Sequence, residues 1–306
     1  MTLTDKPDMQ IHVILTQAAA INEAARHLVP LSHSITRMIE INSNPRLSIQ
    51  NITEVIANDQ VLTAAILREA NSAAVAGTTR TSSIESAVVR LGMGRVMALA
   101  IRMVVSGHLS RPIPEYGLNE GELALLSVTG SVAAELVREW SQVALPPELP
   151  TAALLRDIGL LVLAQFIDQS QLMLMKVAID SGAPLADSER MVLEADHGEA
   201  AGLLCQAWKL PESVRIGVQY HHEPSACDEP IAHGVFLADT VAQRIATGSG
   251  CSWSHSNPAH HEIEASFHAL GMDPKMLESI VEATIERFES RHTGLTLQPP
   301  NTARSR

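Results

Sequence analysis

Aromatic residues make up only 3% of the 306 residues, and the apolar content of 46% is carried mainly by Ala, Leu, Ile, Val and Met, a mixture that favours helices. Cysteine is equally sparse: Cys205, Cys227 and Cys251 are odd in number, widely spaced and free of any CxxC pair, which excludes a disulfide framework and fits reduced thiols. No cluster of Lys and Arg occurs, and the formal charge of -12 argues against a broad contact with DNA, RNA or an anionic membrane. The alternation that half-buried strands require is missing. Apolar runs are too short, or too interrupted by charge, to span a bilayer. The opening MTLTDKPDMQ lacks a basic stretch followed by an apolar one, so no secretory signal is expected and a cytoplasmic location is.

What is present is helical periodicity and its punctuation. Leu277, Ile280, Val281, Thr284, Ile285 and Phe288 form one stripe, opened by Asp273 as N-cap and Pro274 at the first helical position. Ser82 with Glu85, and Asn119 with Glu122, have the spacing of capping boxes. A helix from Ser48 breaks at Asn58-Asp59 before another through Leu62, Ile66 and Leu67, and Asn71-Ser72 has the composition of a C-terminal cap in the left-handed region. Two prolines and a glycine between His108 and Asn119 predict a boundary near residue 115. The expected organisation is therefore a flexible N-terminus (1–10), an N-terminal helical lobe (11–115), a second helical lobe (116–291) and a flexible tail (292–306). The stretch Thr247 to His261, with Cys251, His255, His260 and His261, predicts an exposed loop.

One segment stands apart. Ala152 to Phe166, AALLRDIGLLVLAQF, is apolar on every side and predicts a buried helix, yet it carries Arg156 and Asp157. Buried charges need partners, and neighbours at i, i+1 point about 100° apart, so a longer-range ion pair is expected for Asp157. Periodicity also turns inward His197 (with Ala201, Leu204 and Trp208), His221 (with Val214 and Val218) and Asp239 (with Val235 and Ala242). Imidazoles and carboxylates on several helices can bind Zn, Fe or Mn and hold a water for attack on a phosphate ester.

The order LLRDIG, DHGEAAGLL…W.LP, HHEP and FLAD resembles the HD superfamily of metal-dependent phosphohydrolases, and most closely its HDOD branch, the HD-related output domains of bacterial signalling proteins. Upstream, LVPLSHSITRMIEI (Leu28 to Ile41), IANDQVLTAAILREANSA (Ile56 to Ala73) and SIESAVVRLGMGRV (Ser83 to Val96) are similar to segments of that branch, so the resemblance covers about residues 11–290. It implies an all-α fold, an N-terminal bundle packed on a C-terminal HD-like bundle. It also implies that Asp157, His197, His221, His222 and Asp239 are a remnant metal set, while Arg156 replaces the His of the His-Asp doublet and Val128 or Thr129 stands where an upstream His would. A guanidinium cannot be deprotonated to ligate a cation and would repel one.

Each of these residues has a plain structural alternative. Asp157 can serve in an ion pair, His197 can be a satisfied core histidine, and His221 and His222 can complement the negative end of a helix. Glu223 is read as a solvated charge, and Gly92-x-Gly94 as a phosphate cradle is disfavoured because no strand precedes it. The resemblance implies a regulatory, non-catalytic module without cofactor that contacts a response regulator or a cyclic-dinucleotide enzyme, possible homo-oligomers included. The alternatives are a metal-dependent nucleotide phosphohydrolase, or a sensor that binds a divalent metal or nucleotide without turnover.

Overall fold

Short polar side chains open several of the helices. In the computed structural model, which describes residues 19–21, 23–24, 31–42, 49–72, 81–248 and 260–291, the first half carries α1 (His33–Asn42), α2 (Ile49–Ala57), α3 (Gln60–Ala70), α4 (Ile84–Leu91) and α5 (Met93–Leu109). The expected flexible ends 1–10 and 292–306, Ser48, and most of the 247–261 loop with Cys251 and His255 lie outside the described residues. Asp59 starts α3 by accepting the Leu62 N–H at 3.0 Å. For α4 the cap is Ser83, one residue later than the expected Ser82, and it accepts the Ser86 N–H at 3.1 Å.

Asn71 caps the C-terminus of α3 as its composition implies, its backbone N–H bonding to the Leu67 carbonyl at 3.1 Å. Its backbone (φ -102°, ψ 4°) is not left-handed. Its amide instead brackets Thr81, accepting that residue's N–H at 2.9 Å and donating to its carbonyl at 2.8 Å, with a further bond to the Leu67 carbonyl at 2.9 Å. Gly94 serves packing, because a Cβ there would collide with the Pro147 carbonyl.

The proline-rich 108–119 segment folds as a tight turn. Ile113 and Leu118 exchange backbone hydrogen bonds at 2.9 and 3.1 Å around a 3-10 turn, Pro114–Tyr116. Beyond it lie α6 (Glu122–Trp140), α7 (Leu149–Leu155), α8 (Gly159–Leu163), α9 (Gln169–Asp180), α10 (Leu185–Leu193), α11 (His197–Ala207), α12 (Glu212–Gln219), α13 (Pro230–Gly248), α14 (His260–Ala269) and α15 (Leu277–Arg291). Only half of the expected Asn119–Glu122 box forms before α6: Glu122 accepts the Asn119 N–H at 2.7 Å, while the N-cap is Gly121 at φ +82°. Asp273 caps the turn into α15 as its sequence implies.

The fold is all-α, with no strand among the described residues. Helix α6 is its axis, packed on α7, α13 and α15, while α11 lies against α8 and α12. The apolar core is continuous from Ile35 through Leu99 and Leu155 to Phe288. Leu149–Phe166 is the single described stretch long and apolar enough to cross a membrane, and 78% of it is buried inside the fold.

That stretch is not one helix. Between α7 and α8 the amides of Ile158, Leu160 and Leu161 bond carbonyls three residues back, at 3.0, 3.1 and 3.1 Å, so the chain tightens and turns over residues 156–158. Gly159 follows at a close approach to α11, where any Cβ would collide with the His197 carbonyl. The break places Arg156 and Asp157 beside the histidines.

Candidate ion-pair and metal site

Arg156 is fully buried, and each part of its guanidinium is engaged. Its Nε donates to Asp239 Oδ1 at 2.6 Å, one terminal nitrogen donates to the Ala153 carbonyl at 2.8 Å, and the other lies 3.0 Å from Asp157 Oδ2. Both terminal nitrogens also reach the Leu126 carbonyl of α6 at 3.4 Å. Room for this group comes from Gly130, one turn further along α6, where a Cβ would run into the guanidinium. Asp157 pairs with its neighbour Arg156 as well as lying near more distant groups, because the backbone bends at 156–158 and swings the two adjacent side chains together.

Asp239, on α13, is held a second time by Gln243 Nε2, which donates to its Oδ2 at 2.6 Å. Asp157 turns its other oxygen to the histidines, 3.6 Å from His197 Nε2 and 3.7 Å from His221 Nε2. Burial alone would raise the Asp157 carboxyl; the charge of Arg156 first, and then the neighbouring His197 and His221, hold it well below the usual carboxylate range. At Asp239 burial prevails over Arg156 and the carboxyl is raised.

The histidines come from the ends of two helices. Asp196 caps α11 with a capping box to Glu199, which sets His197 at the first helical position. His221 and His222 follow α12, where His221 Nδ1 donates to the Val218 carbonyl at 2.6 Å. The ligating nitrogens of His197, His221 and His222 lie within 4.8 Å of one another.

The least visible participant is Glu189, a fully buried carboxylate on α10. One of its oxygens accepts both the His197 backbone N–H at 2.9 Å and His197 Nδ1 at 2.6 Å. Burial lowers the His197 pKa, but Glu189 and Asp157 outweigh it and set the ring well above its ordinary value. His222 Nε2 faces His197 Nε2 at 2.7 Å, and burial with its two cationic-prone neighbours drives it well below. His197 thus lies between Glu189 at its Nδ1 and His222 at its Nε2. His221 is lowered as well, by burial first, and its Nε2 is buried without a hydrogen-bond partner.

All five residues that the sequence singled out are thereby near one another, but they divide into two groups. His197, His221 and His222 form a donor set whose nitrogens lie within 4.8 Å of one another, with one oxygen of Asp157 beside two of them and the His221 Nε2 as the group that lacks a hydrogen-bond partner. Asp239 and the other oxygen of Asp157 are taken by Arg156. One ion fits the first group by donor chemistry, although nitrogens on a single tetrahedral ion sit about 3.3 Å apart, so the 2.7 Å pair of His197 and His222 would have to open. A second ion between the aspartates does not fit, because the guanidinium is there. Glu223, read as solvated, is exposed yet pairs at 2.6 Å with Arg190, which also holds Asp187 and Asp196. Sequence reasoning missed Glu189, Gly130 and Gln243. Glu189 was within reach, since it falls on the buried stripe of Leu185, Ser188 and Leu193.

The helical bundle thus gathers His197, His221, His222 and Asp157 on one side of Arg156 and Asp239 on the other. The chain belongs to the HDOD domain family, whose model matches residues 28–224. Among solved structures it is similar to a candidate phosphohydrolase from Shewanella amazonensis (22% identity, 89% of this chain and 97% of that one, TM-score 0.64) and to an HDOD domain protein of unknown function from Geobacter sulfurreducens (20%, 89% and 98%, 0.63). A candidate signal transduction protein from Marinobacter aquaeolei is alike over 91% of this chain and 64% of its own (20%, 0.65). At such identities the likeness is one of fold. A curated relative, an uncharacterized protein of Treponema pallidum, is 24% identical over 213 residues, and the match spans 69% of this chain but only 41% of the relative.

Proposed function

We propose that this HDOD protein is a non-catalytic regulatory module of bacterial signal transduction, acting by contact with other proteins. The observation that carries the reading is the position of Arg156. Its buried guanidinium bridges Asp157 and Asp239 at 3.0 and 2.6 Å and occupies the place where a cation would be held between them. A permanent cation there removes one aspartate oxygen from each side and adds a positive charge that repels a second ion. Lacking that ion, the site loses the paired-ion clamp on a phosphoryl group and its attacking water. Partners in the setting that the family resemblance implies are a response regulator or a cyclic-dinucleotide enzyme, and the acidic chain (-12) suits a basic patch on such a partner.

A second reading is supported by the His221 nitrogen left without a partner. His197, His221, His222 and Asp157 would hold one divalent ion, which would supply charge and Lewis acidity for binding a nucleotide phosphate without turnover. The test is to assay a panel of nucleotides with Mn, Fe and Zn added in turn. No turnover is expected with any of them. Turnover that disappears in His221→Ala would contradict the regulatory reading, and bound metal without turnover would favour the sensor.

A further inference from the structure

Three segments of the chain carry the histidine cluster: the end of α10 with Glu189, the start of α11 with His197, and the turn after α12 with His221 and His222. They are tied together twice. The inner tie runs from Glu189 to His197 Nδ1 at 2.6 Å, and on from His197 Nε2 to His222 Nε2 at 2.7 Å. Their immediate chain neighbours, Arg190, Asp196 and Glu223, repeat the linkage on the outside. Arg190 pairs with Asp196 and, at 2.6 Å, with Glu223. Being adjacent in the chain, Glu223 and His222 do not move independently.

The outer tie has one weak joint. Asp196 is fixed: its side chain is 3% exposed, and its Oδ1 also accepts the Glu199 N–H at 2.8 Å. Asp187, the third carboxylate on Arg190 at 2.6 Å, sits three residues away on the same helix and so ties no second segment to it. Glu223 is 60% exposed, and a pair at such a surface is worth at most about fivefold in an equilibrium. Just beyond it, Ser225 Oγ donates to Glu262 at 3.1 Å, which anchors the far end of the turn on α14. Glu223 is therefore the part free to swing. His222 beside it is half-buried, whereas His197 and His221 are buried.

We propose that Arg190 latches the histidine cluster shut, and that release of Glu223 is the movement by which His222 parts from His197 and the cluster opens to solvent. Arg190 is thus a positioning residue that acts through Glu223. Nitrogens on one tetrahedral ion stand about 3.3 Å apart, so the 2.7 Å pair of rings is a closed state that any ligand of theirs must first undo. Positive charge is the key to the latch. A cation that takes Glu223 undoes the pair, while Arg190 keeps Asp187 and Asp196 as partners. The latch goes beyond the function proposed above, since it is a property of the rings with or without an ion, and with or without a substrate.

Carbethoxylation of the full chain by diethyl pyrocarbonate without added metal, read at each histidine by peptide mass spectrometry, tests the latch. His222, whose pKa burial lowers, is unprotonated at neutral pH and reacts as far as it is reachable, and the exposed His261 serves as the internal reference. Glu223→Gln removes the charge of an exposed side chain and should speed modification of His222 by about two- to fivefold. Arg190→Gln should do at least as much. Asp187→Asn deletes an equally short ion pair to Arg190 without untying the turn after α12, and should leave the rate unchanged. Salt at about 1 M shrinks the Debye length to about 3 Å, so it should bring the wild type toward Glu223→Gln while leaving that variant where it was. A Glu223→Gln variant that reacts as the wild type does, an Asp187→Asn variant that matches Glu223→Gln, or a wild-type rate indifferent to salt would overturn the proposal.

Discussion

Replacing Arg156 with alanine removes the one positive charge that answers two buried carboxylates. The guanidinium makes ion pairs at 2.6 Å to Asp239 and 3.0 Å to Asp157 and donates to the Ala153 carbonyl at 2.8 Å. Taking one partner out of a buried pair costs about 3–5 kcal/mol, chiefly because the remaining charge is left in a poorly polarisable interior. Urea unfolding of Arg156→Ala should therefore show a loss of about that size at pH 7. The pH dependence fixes the cause. In the wild type Asp157 is held below its ordinary range, so its contribution is present above about pH 4 and is lost as the pH falls below that. Without Arg156, burial raises both carboxyls, the native state takes up protons as the pH falls, and the gap to the wild type should narrow from pH 7 to pH 5. Adding Asp239→Asn to Arg156→Ala should recover about 1–3 kcal/mol, the range of coupling for residues in direct contact. A cost under about 1 kcal/mol, or a gap independent of pH, would refute a bridging ion pair.

Three further outcomes follow from the same contacts. Glu189→Gln should lower the His197 pKa in an NMR titration. Since a raised histidine pKa stabilises fully below about pH 6.5 and that gain fades as the pH climbs through the raised value, the variant's deficit should be largest at acidic pH. An unshifted titration would remove Glu189 from its positioning role. Gly130→Ala should cost about 1–3 kcal/mol in denaturant unfolding by displacing a guanidinium that has nowhere to go, whereas a neutral result would mean that α6 yields. Asn71→Ala should lose about 1–3 kcal/mol together with hydrogen-exchange protection at the Thr81 amide, and retained protection would show that Thr81 is held by other means.

Much of this was legible in the sequence because helix caps and apolar stripes are local. Asp273 caps where its spacing implies, the break at Asn58-Asp59 falls between two helices, and the periodicity that turned His197, His221 and Asp239 inward describes residues that are in fact buried. The failures are equally physical. Arg156 meets Asp157 only because the helix breaks, and the break coincides with the close approach of Gly159 to the His197 carbonyl, a contact between residues 38 positions apart that no local pattern encodes. The cap of α4 slid by one residue because Ser82 and Ser83 offer the same hydroxyl. On α6 the groups that meet Arg156 are the Leu126 carbonyl and Gly130, whose contribution is the absence of a side chain, and neither is visible to a pattern of side-chain types.

The central claim is that Arg156 stands in the place of a cation, and metal stoichiometry tests it most directly. Mn, Fe and Zn should be counted by mass spectrometry in the purified wild type and in Arg156→His after incubation with each ion. The account predicts at most one ion per wild-type chain, held by the three histidines and Asp157, and an additional ion or a tighter one in Arg156→His. Two ions per wild-type chain would contradict it.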